Sequence, residues 1–325
     1  MDMRASRKVQ PKSQPPETTV SEERFAAVAD GVELCYQTFG TPPGDGGTGE
    51  PLLLIMGLGG PMTWWDERLC RLLVARGFFV IRYDNRDTGR SSRLRGRVTR
   101  AAMLRAFAGR PLPQGPAYTM DDLARDAVGL LDQLGLDSAH VLGVSMGGMI
   151  AQTMAIEHPD RVRSLTSVMS TTGKRSVGWQ HPRLLPVLIS PSGSSREAYV
   201  ARSTLVWGLI GSPAYPPTAD EIREKALTTY ERGISASGVL RQMMAVLTQP
   251  NRGPRLRQLS IPTLVVHGTA DRMVHASGGR ATAAAVPGAE LLLIDGMGHD
   301  LPSALFETFA DAVRRTADRA TPFGG

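Results

Sequence analysis

The chain has 325 residues, 42% of them hydrophobic and 21% charged, with 35 glycines, a composition that suits a globular core and excludes a disordered or collagen-like chain. No apolar run exceeds five residues, far short of the roughly 20 that a membrane helix needs, which excludes an integral membrane protein. The first twenty residues lack the apolar stretch of a secretory signal and read as a flexible tail. The net charge is +6, yet no nucleic-acid-binding motif accompanies the 12 arginines between Arg68 and Arg110. That bias reads as a solvated basic face, and nucleic acid is not an expected partner.

Strand-like and helix-like runs alternate along most of the chain, the mark of a mostly parallel sheet covered by helices. The strands expected, in chain order, are Val32–Phe39, Leu52–Met56, Phe78–Tyr83, Val141–Val144, Leu165–Met169, Thr263–Val266 and Leu291–Ile294. After the first, the loop Thr41–Glu50 carries a G-x-G-x-x-G match at Gly44, Gly46 and Gly49. A dinucleotide site needs that motif to open a helix, whereas here it runs straight into PLLLIM, so it reads as a turn. Arg95–Tyr118 reads as a short helix followed by a Pro-rich loop. The clearest helix is Asp121–Leu134, with apolar residues at helical spacing, Thr119 as N-cap, Asp122 three residues on and Gly135 closing it. Residues 172–254 hold helical fragments without a clear strand and are expected to form a helical cap inserted between core segments 21–171 and 255–325. Cys35 and Cys70 sit in apolar runs without C-x-x-C spacing, which points to buried thiols in a reducing, cytoplasmic compartment.

The chemistry concentrates in three segments. HVLGVSMGGMIAQ reads as strand, tight turn and helix, and its G-V-S-M-G leaves the hydroxyl of Ser145 exposed at the turn. A serine is a poor nucleophile without an adjacent base and a group that orients that base. His299, in IDGMGHDLP, follows the last strand, on the sheet edge to which Ser145 points; His140, His158, His181, His267 and His275 read as structural. Asp271 follows the strand in PTLVVHGTAD, whereas STTGKRS after the preceding strand has no carboxylate. His267, Asp271 and His275 have helical metal-ligand spacing, but Gly268 and the strand before it argue against a helix, so no metal is expected. An oxyanion hole needs two backbone N–H groups, and Met146 with Leu58 of MGLGGP supply the candidates.

These motifs resemble those of the α/β hydrolases over about residues 25 to 318, with MGLGG at the oxyanion loop, RYDNRDTGRSS at the turn that follows, GVSMGG at the nucleophile, HGTAD at the acid and GMGH at the base. The chain is most similar to the esterase and lipase branch that includes polyketide methyl esterases. It departs from the pattern at Met56, where the family usually has His, and at Asp87, where it usually has Gly. The resemblance implies an eight-stranded sheet with a helical insertion and a serine carboxylesterase, using no cofactor, that acts through an acyl-enzyme on Ser145. Small to medium apolar esters are the expected substrates, with Trp64, Trp65, Trp207, Met243 and Met244 as pocket residues. Lys174, Arg175, Arg183, Arg196 and Arg202 leave room for anionic substrates. The same residues also serve thioesters, lactones, perhydrolysis and C–C hydrolysis, and a non-catalytic receptor on this fold is the reading from another class.

Overall fold

The computed structural model describes residues 18–184 and 195–321. The expected tail lies outside these residues except for its last three, and residues 185–194 of the expected insertion also lie outside them.

Eight strands form one sheet: β1 (Arg24–Ala29), β2 (Val32–Phe39), β3 (Glu50–Ile55), β4 (Phe78–Tyr83), β5 (Ala139–Val144), β6 (Val162–Val168), β7 (Thr263–Gly268) and β8 (Glu290–Ile294). Their spatial order is β1-β2-β4-β3-β5-β6-β7-β8. β1 and β4 each pair antiparallel with β2, and every other pairing is parallel. Seven strands fall where the sequence pattern expects them, with shifts of a residue or a few at their ends. β1 is the addition: RFAAVA buries only Ala26 fully and pairs on one side, so it carries little of the apolar alternation that marks a strand.

Alternate residues of the inner strands feed two cores. Leu53 and Ile55 of β3 face one core with α3 (Met120–Gln133) and α4 (Met146–Glu157), where Leu123, Leu130, Ile150 and Met154 are buried. Leu52 and Leu54 face the other with α1 (Glu67–Ala75) and the C-terminal helix (Phe306–Ala317), through Leu69, Leu73, Phe309 and Val313. α3 starts with the expected capping box, in which Thr119 and Asp122 exchange bonds, and Gly135 follows it at φ +66°. The 41–50 loop is a turn that leads into β3; a Cβ at Gly49 would lie 2.8 Å from Phe79 N, so that glycine serves close sheet packing.

A short helix, α2 (Arg100–Phe107), precedes α3. Between β6 and β7 the described residues hold α5 (Arg196–Ile210), α6 (Ala219–Arg232), α7 (Ala236–Thr248) and the short α8 (Gly253–Leu256). α9 (Ser277–Ala285) and α10 (Phe306–Ala317) complete the chain. Because β3, β5, β7 and β8 run parallel, the loops that follow them emerge at one edge of the sheet, where α/β proteins bind ligands.

Candidate active site

Ser145 stands between β5 and α4 with φ +57° and ψ −117°, a conformation that costs a non-glycine residue about 1–3 kcal/mol. Its surroundings enforce it. Ser145 N–H donates to Val168 O at 2.9 Å, and Ser170 Oγ donates to Ser145 O at 2.7 Å. The flanking glycines are steric requirements: a Cβ at Gly143 would lie 2.1 Å from Gly147 O, and one at Gly147 would lie 2.0 Å from Ile55 O.

Ser145 Oγ lies 3.0 Å from His299 Nε2, and His299 Nδ1 lies 2.8 Å from Asp271 Oδ2. With Nδ1–H donating to the carboxylate, Nε2 is left to accept the serine proton. Asp271 is buried, and its Oδ1 accepts from Met273 N and Val274 N, each at 2.9 Å. Burial alone would raise its carboxyl pKa, but the charge and hydrogen bonds of His299 and His267 outweigh burial and hold it well below the usual carboxylate range. His267, absent from the expected site, is fully buried with Nε2 2.8 Å from Val274 O and 3.3 Å from Asp271 Oδ2. Its only signal in the sequence is its place four residues before Asp271 in HGTAD. His275 turns away and stacks on Trp179 at 4.2 Å. The base loop is held from the insertion: His299 N–H donates to Ile210 O at 2.7 Å, and Gly298 N–H to Ser212 Oγ at 2.8 Å.

The loop after β3 runs beside the serine, since a Cβ at Gly57 would lie 3.1 Å from Ser145 Cβ. Among the described residues neither Leu58 N–H nor Met146 N–H donates a hydrogen bond, which leaves both available to an oxyanion. Met56, in the place of the family's usual His, is buried in the core, and its carbonyl accepts from Asn85 Nδ2 at 3.0 Å. Asp84 Oδ1 accepts Met62 N–H at 2.6 Å at the far end of the same loop. Asp87, the other departure, takes φ +70° and is buried, with Tyr118 Oη and Arg241 donating to its carboxylate.

The expected pocket residues separate. Trp64 and Trp207 meet edge to face at 5.3 Å and line a cavity of about 600 Å³ with Tyr215, Lys225, Asp300 and Phe306. Lys225 Nζ sits 4.7 Å from the Trp64 ring and 4.2 Å from the Trp207 ring. Trp65 is fully buried against the sheet, Met244 is buried and Met243 is half-buried; none of these three lines that cavity.

The chain matches the α/β hydrolase fold family over residues 50–302. It belongs to that family. It is 31% identical to a rhodomycin D methylesterase of Streptomyces peucetius, over 87% of this chain and 94% of the relative. It is 29% identical to 3-oxoadipate enol-lactonase 2 of Acinetobacter baylyi, over 78% of this chain and 81% of that one. Among solved structures, an esterase from Rhodococcus sp. ECU1013 superposes with a TM-score of 0.68 at 20% identity, covering 92% of this chain and 99% of the other, a likeness of fold. This hydrolase has no helix, among its described residues, long and apolar enough to cross a membrane.

Proposed function

We propose that this hydrolase cleaves carboxylic esters of small to medium, largely apolar molecules through an acyl-enzyme on Ser145. The observation that carries the reading is the continuous chain of hydrogen-bonding distances from Ser145 Oγ to His299 at 3.0 Å and on to Asp271 at 2.8 Å. Ser145 Oγ attacks the ester carbonyl carbon as its proton passes to His299 Nε2, and Asp271 stabilises the imidazolium through Nδ1–H. The tetrahedral oxyanion is received by the N–H groups of Met146 and Leu58. His299 then protonates the departing alcohol, and a water deprotonated by His299 releases the acid. The described residues of 172–254 act as a helical cap over this edge, and the two buried, unpaired thiols Cys35 and Cys70 suit a reducing, cytoplasmic setting. The name of the methylesterase relative supports a small alcohol as leaving group.

The test is a chain-length series of p-nitrophenyl and methyl esters beside thioester, lactone, peptide and phosphoester probes, combined with fluorophosphonate labelling. Ester turnover with labelling at Ser145 is expected. Folded protein that is neither labelled nor turns over any ester refutes the proposal, and rapid thioester or lactone cleavage with negligible ester turnover moves the substrate class.

A further inference from the structure

We propose that Gln242, on α7 of the inserted segment, is a positioning residue that sets the oxyanion loop without touching substrate. The proposal rests on the ester-hydrolase reading above.

The loop from Gly57 to Gly60 has little to hold it from within, because three of its four residues are glycines and Gly59 occupies the left-handed region at φ +65°. Its one internal tie is Gly60 N–H to Gly57 O at 3.1 Å. The external tie comes from Gln242, whose side chain is fully buried and fully committed. Oε1 accepts Gly59 N–H at 2.8 Å, while Nε2 donates to Arg86 O and to Thr88 Oγ1, each at 2.9 Å. That amide group therefore bridges the oxyanion loop to the turn at 84–91. Gly59 N–H belongs to the peptide plane that begins at the Leu58 carbonyl. Anchoring this plane leaves only Leu58's own two torsions between it and the N–H that faces the developing charge.

The register of α7 is fixed one residue earlier. Arg241 forms a buried two-point ion pair with Asp87, at 2.8 and 2.6 Å, and donates to Gly96 O at 2.7 Å. Gly238 lets the helix approach, since a Cβ there would lie 2.5 Å from Asp87 O. Val239 then packs on Gly59, where a Cβ would come within 2.9 Å of its methyl. A side chain that only filled space would not need both ends of its amide paired with two separate loops.

The experiment compares Gln242→Met, Gln242→Glu and the parent enzyme. Methionine keeps the volume and removes the acceptor, so kcat on a p-nitrophenyl ester and the rate of fluorophosphonate labelling are expected to fall about 10- to 100-fold, with KM within twofold. Glutamate keeps an oxygen facing Gly59 but sets its second oxygen against Arg86 O, where Nε2 donates in the parent, so it breaks the other end of the bridge and is expected to lose kcat as well. Should the methionine variant not fold, Gln242→Asn, too short to span both loops, is expected to lose kcat in the same way. A folded Met or Asn variant with kcat within twofold of the parent overturns the proposal. Amide hydrogen exchange at Gly59 gives a readout independent of turnover: protection in the parent is expected to drop at least about tenfold in the Met or Asn variant. If the parent shows no ester turnover and no labelling, the functional reading fails alone, and unchanged exchange at Gly59 then overturns the positioning role.

Discussion

Asp271→Asn tests the candidate site at its most constrained atom pair. Oδ1 accepts two backbone N–H groups, from Met273 and Val274, and Oδ2 faces two imidazoles, His299 at 2.8 Å and His267 at 3.3 Å. An asparagine can keep its oxygen on the backbone donors or turn its NH2 toward them. The second orientation strands two buried donors at about 1–3 kcal/mol each, so the first prevails. Its NH2 then points at His299 Nδ1, which must become the acceptor, and the ring proton moves to Nε2. That nitrogen has no lone pair left for the Ser145 proton. The expected loss in kcat is on the order of 10³- to 10⁴-fold, about 4 to 5.5 kcal/mol of barrier, with KM within about twofold. Initial rates on a p-nitrophenyl ester between pH 6 and 9 measure it. A variant that keeps a tenth of the parent kcat refutes the role given to Asp271. The same substitution has a stability signature. A carboxyl held below its usual range contributes stability that is present above about pH 4 and is lost as pH falls toward its native-state value. The parent should therefore lose stability more steeply below pH 4 than the asparagine variant.

Ser145→Ala should lower kcat by about 10⁴- to 10⁶-fold and abolish fluorophosphonate labelling, while a double variant with Asp271→Asn loses little more, because interdependent groups are not additive. Asp87→Gly relieves a left-handed residue yet strands buried Arg241, and should cost about 3–5 kcal/mol in urea unfolding; adding Arg241→Met should recover the part that comes from the unpaired guanidinium, with Tyr118 Oη and Leu94 N–H still lacking their acceptor, and additive losses would contradict the pairing. Burial pushes the Lys225 ammonium down to about 8, against the opposing pull of Asp300 and Asp66. Below that pH the folded state holds a charge it disfavours, and stability rises as pH climbs from about 8 toward the ordinary lysine value. Lys225→Met should therefore raise Tm at pH 7 by more than at pH 10, and an equal gain at both would show that burial does not control this group.

The strands from β2 to β8 were legible because each carries consecutive apolar residues bounded by turns, and α3 because Leu123, Ala127, Leu130 and Leu131 repeat at helical spacing. The meeting of Ser145, Asp271 and His299 was legible for a topological reason, since each follows a parallel strand at the same edge. β1 was not, because an edge strand built from RFAAVA needs only one buried residue, Ala26. The pocket residues were read by type alone. Trp65 and Met244 are apolar whether they line a cavity or fill a core, and nothing local to WWDE or RQMMA separates the two. Arg232, Arg241 and Gln242 were illegible for the opposite reason. Charged and amide side chains on a helix ordinarily face solvent, and their partners here lie about 150 residues away in sequence, at Asp84, Asp87 and Thr88.

Those three residues also bear on why the inserted helices sit where they do. Arg232 joins buried Asp84, which itself holds Met62 N–H, and Arg241 joins buried Asp87. Buried ion pairs give up hydration nearly equal to what they gain, so apolar side chains of similar volume would hold α6 and α7 about as firmly. They would not hold them in one register. A two-point guanidinium–carboxylate contact fails when the helix slides by a fraction of a turn, whereas an apolar face tolerates the slide. Register matters because the same segment reaches both halves of the candidate site. Ile210 and Ser212, at the end of α5, hold the loop of His299, and Gln242 on α7 holds Gly59. Displacing such a segment by about 1 Å would shift base and oxyanion donors together, an error that can cost about 100-fold in rate. The arginines therefore bear on catalysis through alignment, and replacing both members of a pair by apolar residues of similar size should cost more activity than stability.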